Sequence, residues 1–200
     1  MCYALCMSTQ AERRTATIAA ILASARSLFR TRGFEATSID DIAEGAGVAK
    51  GAVYHHFESK EAIFTEVLEA VQAEIQKAPP PTAMEGDLAD QIAAGVEHYL
   101  LTASEPRYRR ILLIDGPAVI GWRQWREIDD RYFGAGARMA SAALLGPGAS
   151  PAEAEALTHV MMGAVMEAAL VCATSTDVKR TARELADVLR RLLKGFVASK

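Results

Sequence analysis

Apolar residues recur at intervals of three and four along almost the whole of this 200-residue chain, and no stretch alternates apolar and polar residues as a half-buried strand would. That periodicity confines the chain to an all-α fold, because each segment can bury its apolar stripe only as a helix against other helices. Ile18, Ile21, Leu22, Ala25, Leu28 and Phe29 fall on one face of a first helix, which Gly33 is placed to end through a left-handed cap. Ser38 and Asp41 make a capping box in which Asp replaces the usual Glu or Gln. The second helix they open carries Ile39, Ile42, Ala43 and Ala46 and stops at Gly47. A short third helix buries Val53 and Phe57. Ser59 then caps a fourth whose inner stripe is Ile63, Phe64, Val67, Leu68, Val71 and Ile75.

Three consecutive prolines, Pro79 to Pro81, make the clearest break, since none of them can continue a helix. Beyond it, Leu88, Ile92, Val96, Tyr99 and Leu100 mark a fifth helix. Pro106 suits the first turn of a sixth, ending near Asp115-Gly116-Pro117. A long amphipathic segment runs from about Ala118 to Leu145, where Gly146-Pro147-Gly148 interrupts it. Ser150-Pro151-Ala152-Glu153 is a capping box with Pro at the first helical position. The last helix starts near Thr176 or Asp177 and carries Leu185, Leu189, Leu192, Leu193 and Phe196. The expected architecture is about nine helices: an N-terminal tail over 1–12, a three-helix helix-turn-helix unit over 13–60, and a helical unit over 61–200.

Composition narrows the function classes. No apolar run approaches the ~18–20 residues a membrane span needs, and no basic segment precedes the short apolar start, so the expectation is a cytoplasmic protein with no membrane contact. Met7 is a plausible start in its own right. Cys2, Cys6 and Cys172 form an odd set without metal-ligand spacing, so no disulfide framework, zinc site or other cofactor is expected. With no Ser/Cys–His–acid set and no glycine-rich phosphate loop, the chain is not expected to be an enzyme. The net charge of −3 does not advertise nucleic-acid binding. Nor does it exclude it, because phosphates respond to the local field of a docking face.

The informative stretch is 38–57, where two short helices meet at a turn containing Gly47. With Ile42, Ala43 and Val53 turned inward and small Ala46 letting the backbones approach, the outer face of the second helix shows Lys50, Gly51, Ala52, Tyr54 and His55. Gly and Ala keep that helix slim enough for a major groove, while Lys, Tyr and His supply hydrogen-bond donors. A metal reading of His55 and His56 is disfavoured, because neighbours on a helix point about 100° apart. Arg13 and Arg14 are either a DNA-touching arm or a solvated charge pair.

The run from Phe34-Glu35-Ala36-Thr37-Ser38-Ile39-Asp40-Asp41-Ile42-Ala43 to Tyr54-His55-His56-Phe57-Glu58-Ser59-Lys60-Glu61 resembles the TetR family of transcription regulators in wording, order and spacing over about residues 15–64. The resemblance implies that Thr37 touches a phosphate at the start of the second helix. It puts Lys50, Gly51 and Ala52 nearest the base edges, makes Tyr54 and His55 the phosphate-binding pair, and makes Lys60 a DNA-backbone contact. Ala49 departs from the hydroxyl residue often found there, and Ala52 from the frequent Thr, leaving only a methyl group for a thymine. The resemblance further implies a homodimer formed by the last two helices as a four-helix bundle, a palindromic double-stranded operator, and repression lifted by a small molecule. The segment 155–174 is small on much of its surface (Ala156, Gly163, Ala164, Ala168, Ala169), which suits close packing against larger residues.

In the C-terminal unit Trp122, Trp125, Asp129 and Tyr132 stand on one stripe of the long helix, with Met161, Met162 and Met166 on the next and Phe133 and Tyr99 in reach. Aromatics with methionines form either the adaptable wall of a pocket or a plain helical core. On the pocket reading, Tyr99, Trp122, Trp125, Asp129, Tyr132, Met162 and Met166 contact a small hydrophobic or aromatic effector, with Asp129 or Glu167 as polar anchor. The rival is a TetR-like protein with an architectural or cell-cycle role and no effector, which would have a filled core.

Overall fold

The computed structural model describes residues 10–79 and 85–198. Cys2, Cys6, the alternative start at Met7, and Pro80 and Pro81 lie outside the described residues. Among the described residues every regular element is helical, in nine continuous segments once abutting stretches are joined. The chain divides into two compact units within the fourth helix, between Leu68 and Glu69.

The first unit holds α1 (Gln10–Arg32), α2 (Ile39–Ala46), α3 (Lys50–His56) and the first half of α4 (Lys60–Gln76). α1 begins inside the stretch expected as tail, with Glu12 in its first turn, where the positive end of the helix dipole favours an acid. It ends at Gly33, whose φ of 87° lets its N–H return to the Phe29 carbonyl at 3.0 Å. The capping box of α2 is formed: the Asp41 N–H donates to Ser38 Oγ at 3.1 Å, and the Ser38 N–H donates to Asp41 Oδ2 at 2.8 Å. Gly47, at φ 66°, ends α2 and turns the chain into α3. α1 and α2 pack closely at Gly45, where a Cβ would run into Ser24 Oγ. Ser24 Oγ itself donates to the Ile42 carbonyl across that contact.

Ile21, Ala25, Phe29, Phe34, Ile42, Ala43, Val53, Ile63 and Phe64 make the core of this unit. Phe29, Phe34 and Phe64 form a mutual cluster, with ring centroids 5.3–5.7 Å apart. Tilted and edge-on aromatic packing of this kind adds to plain area burial. Because Phe64 closes the cluster, the start of α4 belongs to the first unit, and the boundary falls later than the expected 60/61.

The second unit comprises the rest of α4, α5 (Leu88–Ala103), α6 (Gly116–Ile120), α7 (Trp122–Asp129), α8 (Ala135–Leu145), α9 (Pro151–Thr174) and α10 (Val178–Ala198). A π-helical stretch, Arg110–Asp115, leads into α6, and a second, Asp130–Gly134, joins α7 to α8. The sixth helical segment therefore runs past the expected stop at Asp115 to Ile120. Pro117 sits in the first turn of α6, where its missing N–H is harmless, and the break falls at Gly121 with φ 79°. The capping box of α9 forms as expected, with the Glu153 N–H donating to Ser150 Oγ at 3.2 Å. Asp177 Oδ1 caps α10 by accepting from the Arg180 N–H. Lys194 and Arg190 of α10 pair with Asp90 of α5, and Arg183 with Glu97.

α9 is long and apolar enough, by length and composition, to cross a membrane, although no apolar run of that extent was expected. The sequence hides it because Thr158, His159 and the charged Glu167 interrupt the apolar letters, while the mean hydropathy stays high. A helix apolar on all sides needs cover on all sides. Thr158, Met161, Met166, Ala169 and Cys172 of α9 point into the core of the unit, whereas Val160 is 70% exposed and Val171 is also on the surface. α10 has the same two-sidedness: Leu193 is buried, Leu192 is 66% exposed, and Val188 and Phe196 are on the outside.

Candidate nucleic-acid interface and ligand cavity

In the first unit α3 is a seven-residue helix fastened to the core by one buried side chain, Val53. Its exposed side carries Lys50, Gly51, Tyr54 and His55; Ala52 is half-buried, and Tyr54 is 53% exposed. A Cβ on Gly51 would meet nothing, so this face is low and open. The Lys50 Nζ donates to Asp40 Oδ2 at 2.9 Å, and the nearby carboxylate raises the ammonium above its usual pKa. Asp40 engages one of the three ammonium donors, which leaves two for a phosphate or base edge. His56 turns half inward, with a buried Nδ1 that has no hydrogen-bond partner among the described residues.

Two expected contacts are placed elsewhere. Thr37 is 2% exposed, and its hydroxyl donates to the Gly33 carbonyl at 2.8 Å, so that hydrogen is spent inside the protein. The Lys60 Nζ donates to the carbonyls of Phe34 and Thr37 at 2.8 and 2.9 Å and lies 4.0 Å from the Phe34 ring centroid. Two of its three donors thus hold the corner between α1 and α2. Both side chains fix the loop that presents α2 and α3 rather than standing on its outer surface. The sequence could not separate these roles, because a lysine at a helix start serves a phosphate and a carbonyl equally well.

Ala49 occupies the N-cap of α3 in extended conformation, and its side chain makes no capping bond. Ala49→Ser is expected to supply one and to stabilise the first unit by about 0.5–2 kcal/mol, read as a higher thermal midpoint. An unchanged or lower midpoint would show that α3 is held by tertiary packing alone.

The second unit encloses a cavity of about 520 Å³ between α5, α8, α9 and the C-terminal end of α4. Ile75, Leu88, Ile92, Val96, Phe133, Ala137, Ala140, Met161, Met162 and Val165 give it an apolar wall. Gln76, Gln91, His98, Tyr99, Thr102 and Asp129 are its polar members. Of the α5 stripe, Leu88, Ile92, Val96 and Tyr99 border this cavity, Leu88 and Ile92 also packing against Ala89, Leu144, Met161 and Leu193, and only Leu100 is fully enclosed. Gly95 and Gly136 also line the cavity, and a Cβ at either would meet nothing within 4 Å. Glycine inside a helix costs about 0.5–1 kcal/mol relative to alanine. Gly95→Ala is accordingly expected to raise unfolding free energy by about that much while narrowing the cavity by one methyl group, measured by denaturant titration.

Asp129 is 4% exposed, and its Oδ1 accepts from Gln72 Nε2 at 3.1 Å. Burial drives its carboxyl up to about 6, against the lowering effect of the Gln72 bond. Burial first, then the charge of Asp129, push the Tyr99 phenol well above its ordinary range, so it stays a neutral hydroxyl. Its ring meets Phe133 edge-on at 5.3 Å.

Of the seven expected ligand residues, Tyr99, Asp129 and Met162 line this cavity, and four do not. Trp125 is fully buried in the core, where a Cβ on Gly116 would come within 3.1 Å of its indole nitrogen. Trp122, 47% exposed, and Met166 border a separate depression of about 520 Å³ with Arg123, Arg126, Glu127, Asp130, Glu155 and His159. Tyr132 lines neither cavity. Its expected place is taken by Phe133, because the π-helical stretch Asp130–Gly134 adds a residue to the turn and rotates everything after it. The first cavity has a mostly apolar wall with a few polar groups, whereas the other is bordered by charges of both signs.

A TetR-family description for bacterial regulatory proteins fits residues 21–67, and one for tetracyclin repressor-like C-terminal domains fits residues 89–196. The chain belongs to the TetR family of bacterial transcription regulators, which bind DNA through a helix-turn-helix. It is similar to the HTH-type transcriptional repressor KstR2 of Rhodococcus jostii (strain RHA1), with 48% identity over 48 residues; that stretch covers 24% of each protein's length. The Transposon Tn10 TetC protein of Escherichia coli is 30% identical over 131 residues, covering 62% of this chain and 63% of that one. The crystal structure of a TetR-family transcriptional regulator from Pectobacterium atrosepticum superimposes with a TM-score of 0.68 at 30% identity, covering 94% of this chain and 97% of the other.

Proposed function

We propose that this chain is a cytoplasmic repressor that binds a palindromic operator as a homodimer and lets go when a small apolar molecule fills the cavity of the second unit. The observation that carries the reading is α3: a slender helix held by Val53, with Lys50, Gly51, Tyr54 and His55 facing outward. Lys50 and Gly51 approach base edges, with the Ala52 methyl beside them, while Tyr54 and His55 donate to phosphates. Thr37 and Lys60 keep α2 and α3 at the angle this needs.

The dimer reading is supported by the uncovered apolar residues Val160 and Val171 on α9 and Val188, Leu192 and Phe196 on α10. Exposed apolar residues on two neighbouring helices favour association there. A two-fold axis there would set two reading helices about one helical turn apart, hence the palindrome. Release runs through α4, which is one unbroken helix from Lys60, clamped to the α1–α2 corner, to Gln76 at the cavity. An occupant that prefers a shifted α4 would transmit that preference to the reading helix, at a typical coupling of ~1–3 kcal/mol. A cavity of about 520 Å³ favours this over the architectural, effector-free alternative.

The test is selection of duplexes from a random pool by the purified protein, followed by titration of the winners. Tyr54→Ala and Lys50→Ala should each weaken binding by roughly 1–3 kcal/mol while leaving the sedimentation of the dimer unchanged. Leu192→Glu should give monomers. Wild-type affinity in both α3 variants would remove α3 as the reading helix.

A further inference from the structure

The charge inventory of the cavity is lopsided. Among the described residues that line it, Asp129 is the only carboxylate, and neither lysine nor arginine is present. His98 contributes a buried Nε2 that has no hydrogen-bond partner among the described residues. One Asp129 oxygen is engaged by Gln72, which leaves the other for a bound molecule. Tyr99, kept neutral, offers a hydroxyl beside it.

We propose that the occupant is an apolar ring body, neutral or cationic, that presents a hydrogen-bond donor such as a hydroxyl or an amine to Asp129. This rests on the cavity being the effector site, and it narrows that reading by excluding anions. A buried carboxylate or phosphate would find neither lysine nor arginine on the wall, only His98 if it took up a proton, and would face Asp129 directly. An unpaired buried charge costs several kcal/mol, which the apolar contacts of a small molecule do not offset. An ammonium pairs with the Asp129 carboxylate, and a hydroxyl donates to it in either case. His98 Nε2 is available to a second polar group on the same molecule. The apolar wall supplies most of the contact area, and the donor fixes orientation.

The probes are 2-naphthylmethylamine, 2-naphthol and 2-naphthoate, which share a ring and differ in head group, titrated calorimetrically into the full-length protein at neutral pH. The amine and the naphthol are expected to bind at least about tenfold more tightly than the naphthoate, a difference of ~1.4 kcal/mol. Asp129→Asn should cost the amine that same tenfold and leave the naphthol within about threefold. Gly95→Trp should abolish binding of all three by filling the cavity. Ala140→Phe serves as a second plug if the first does not fold, as judged by its thermal melt. Naphthoate binding as tight as amine binding, lost on plugging, overturns the head-group rule and leaves the cavity as the site. Binding that survives a folded plug, or no binding by any probe, overturns the cavity assignment and the head-group rule together.

Discussion

Truncating Phe64 to alanine is expected to destabilise the first unit by about 3–5 kcal/mol, the cost typical of removing a fully buried aromatic ring from a core. Phe64 touches both other rings of its cluster, at 5.3 Å from Phe29 and 5.3 Å from Phe34, so its loss opens a hole that neither neighbour can fill alone. Phe34 is also the ring beneath the Lys60 ammonium and the residue whose carbonyl that ammonium grips. The damage therefore spreads to the corner that holds α2. Against a total domain stability of about 5–15 kcal/mol, such a loss removes a large share of what keeps the first unit folded. Urea titration with a DNA-binding assay checks it, with Phe64→Leu as the milder comparison. A loss below about 1 kcal/mol would mean that the cluster is not the keystone of the unit.

Asp129→Asn should do the opposite, and only above mildly acidic pH. The buried carboxyl titrates at about 6 rather than 3.8, so the folded chain holds this proton through a pH range in which the unfolded chain has released it. Stability of the natural protein therefore falls as pH rises from about 4 to about 6 and carries the full cost above that, roughly 2–3 kcal/mol at ~1.4 kcal/mol per unit. Asparagine has no charge to desolvate, and its amide oxygen still accepts the Gln72 N–H. The variant should match the natural protein below about pH 4 and exceed it increasingly to pH 6, with a constant gap beyond. Asp130 acts in the same direction as burial and Arg126 against it, both as smaller contributions. Parallel pH profiles for the two proteins would contradict a desolvated acid at this position. A retained gain in stability with a lost preference for amines would mark Asp129 as kept for binding at the expense of folding.

The helices were legible because their ends are written in local chemistry. Ser38 with Asp41, Ser150 with Glu153, and the left-handed Gly33 and Gly47 depend on residues three or four positions away, which is the range at which sequence patterns inform. The extent of α3 was legible for the same reason. Lys60 and Thr37 were not, since their partners depend on how a loop folds back on α4. The cavity was half legible. An apolar stripe such as Leu88, Ile92 and Val96 looks the same whether it meets side chains or open space. Tyr132 was misplaced because a constant 3.6-residue period was assumed across a turn that does not keep it.

That widened turn at Asp130–Gly134 also sets where the chain tolerates a change of length. A π-helical turn holds about one residue more than an α-helical one, so deleting a single codon there would give one ordinarily wound rod from Trp122 to Leu145 and leave everything downstream in place. Gly136, Ala137 and Ala140 would keep facing the chamber, and Ser141 and Leu144 would keep their places in the core. The same deletion a few residues later, in the α-helical winding, would turn the remainder of the rod by about 100° and carry Leu144 out of the core.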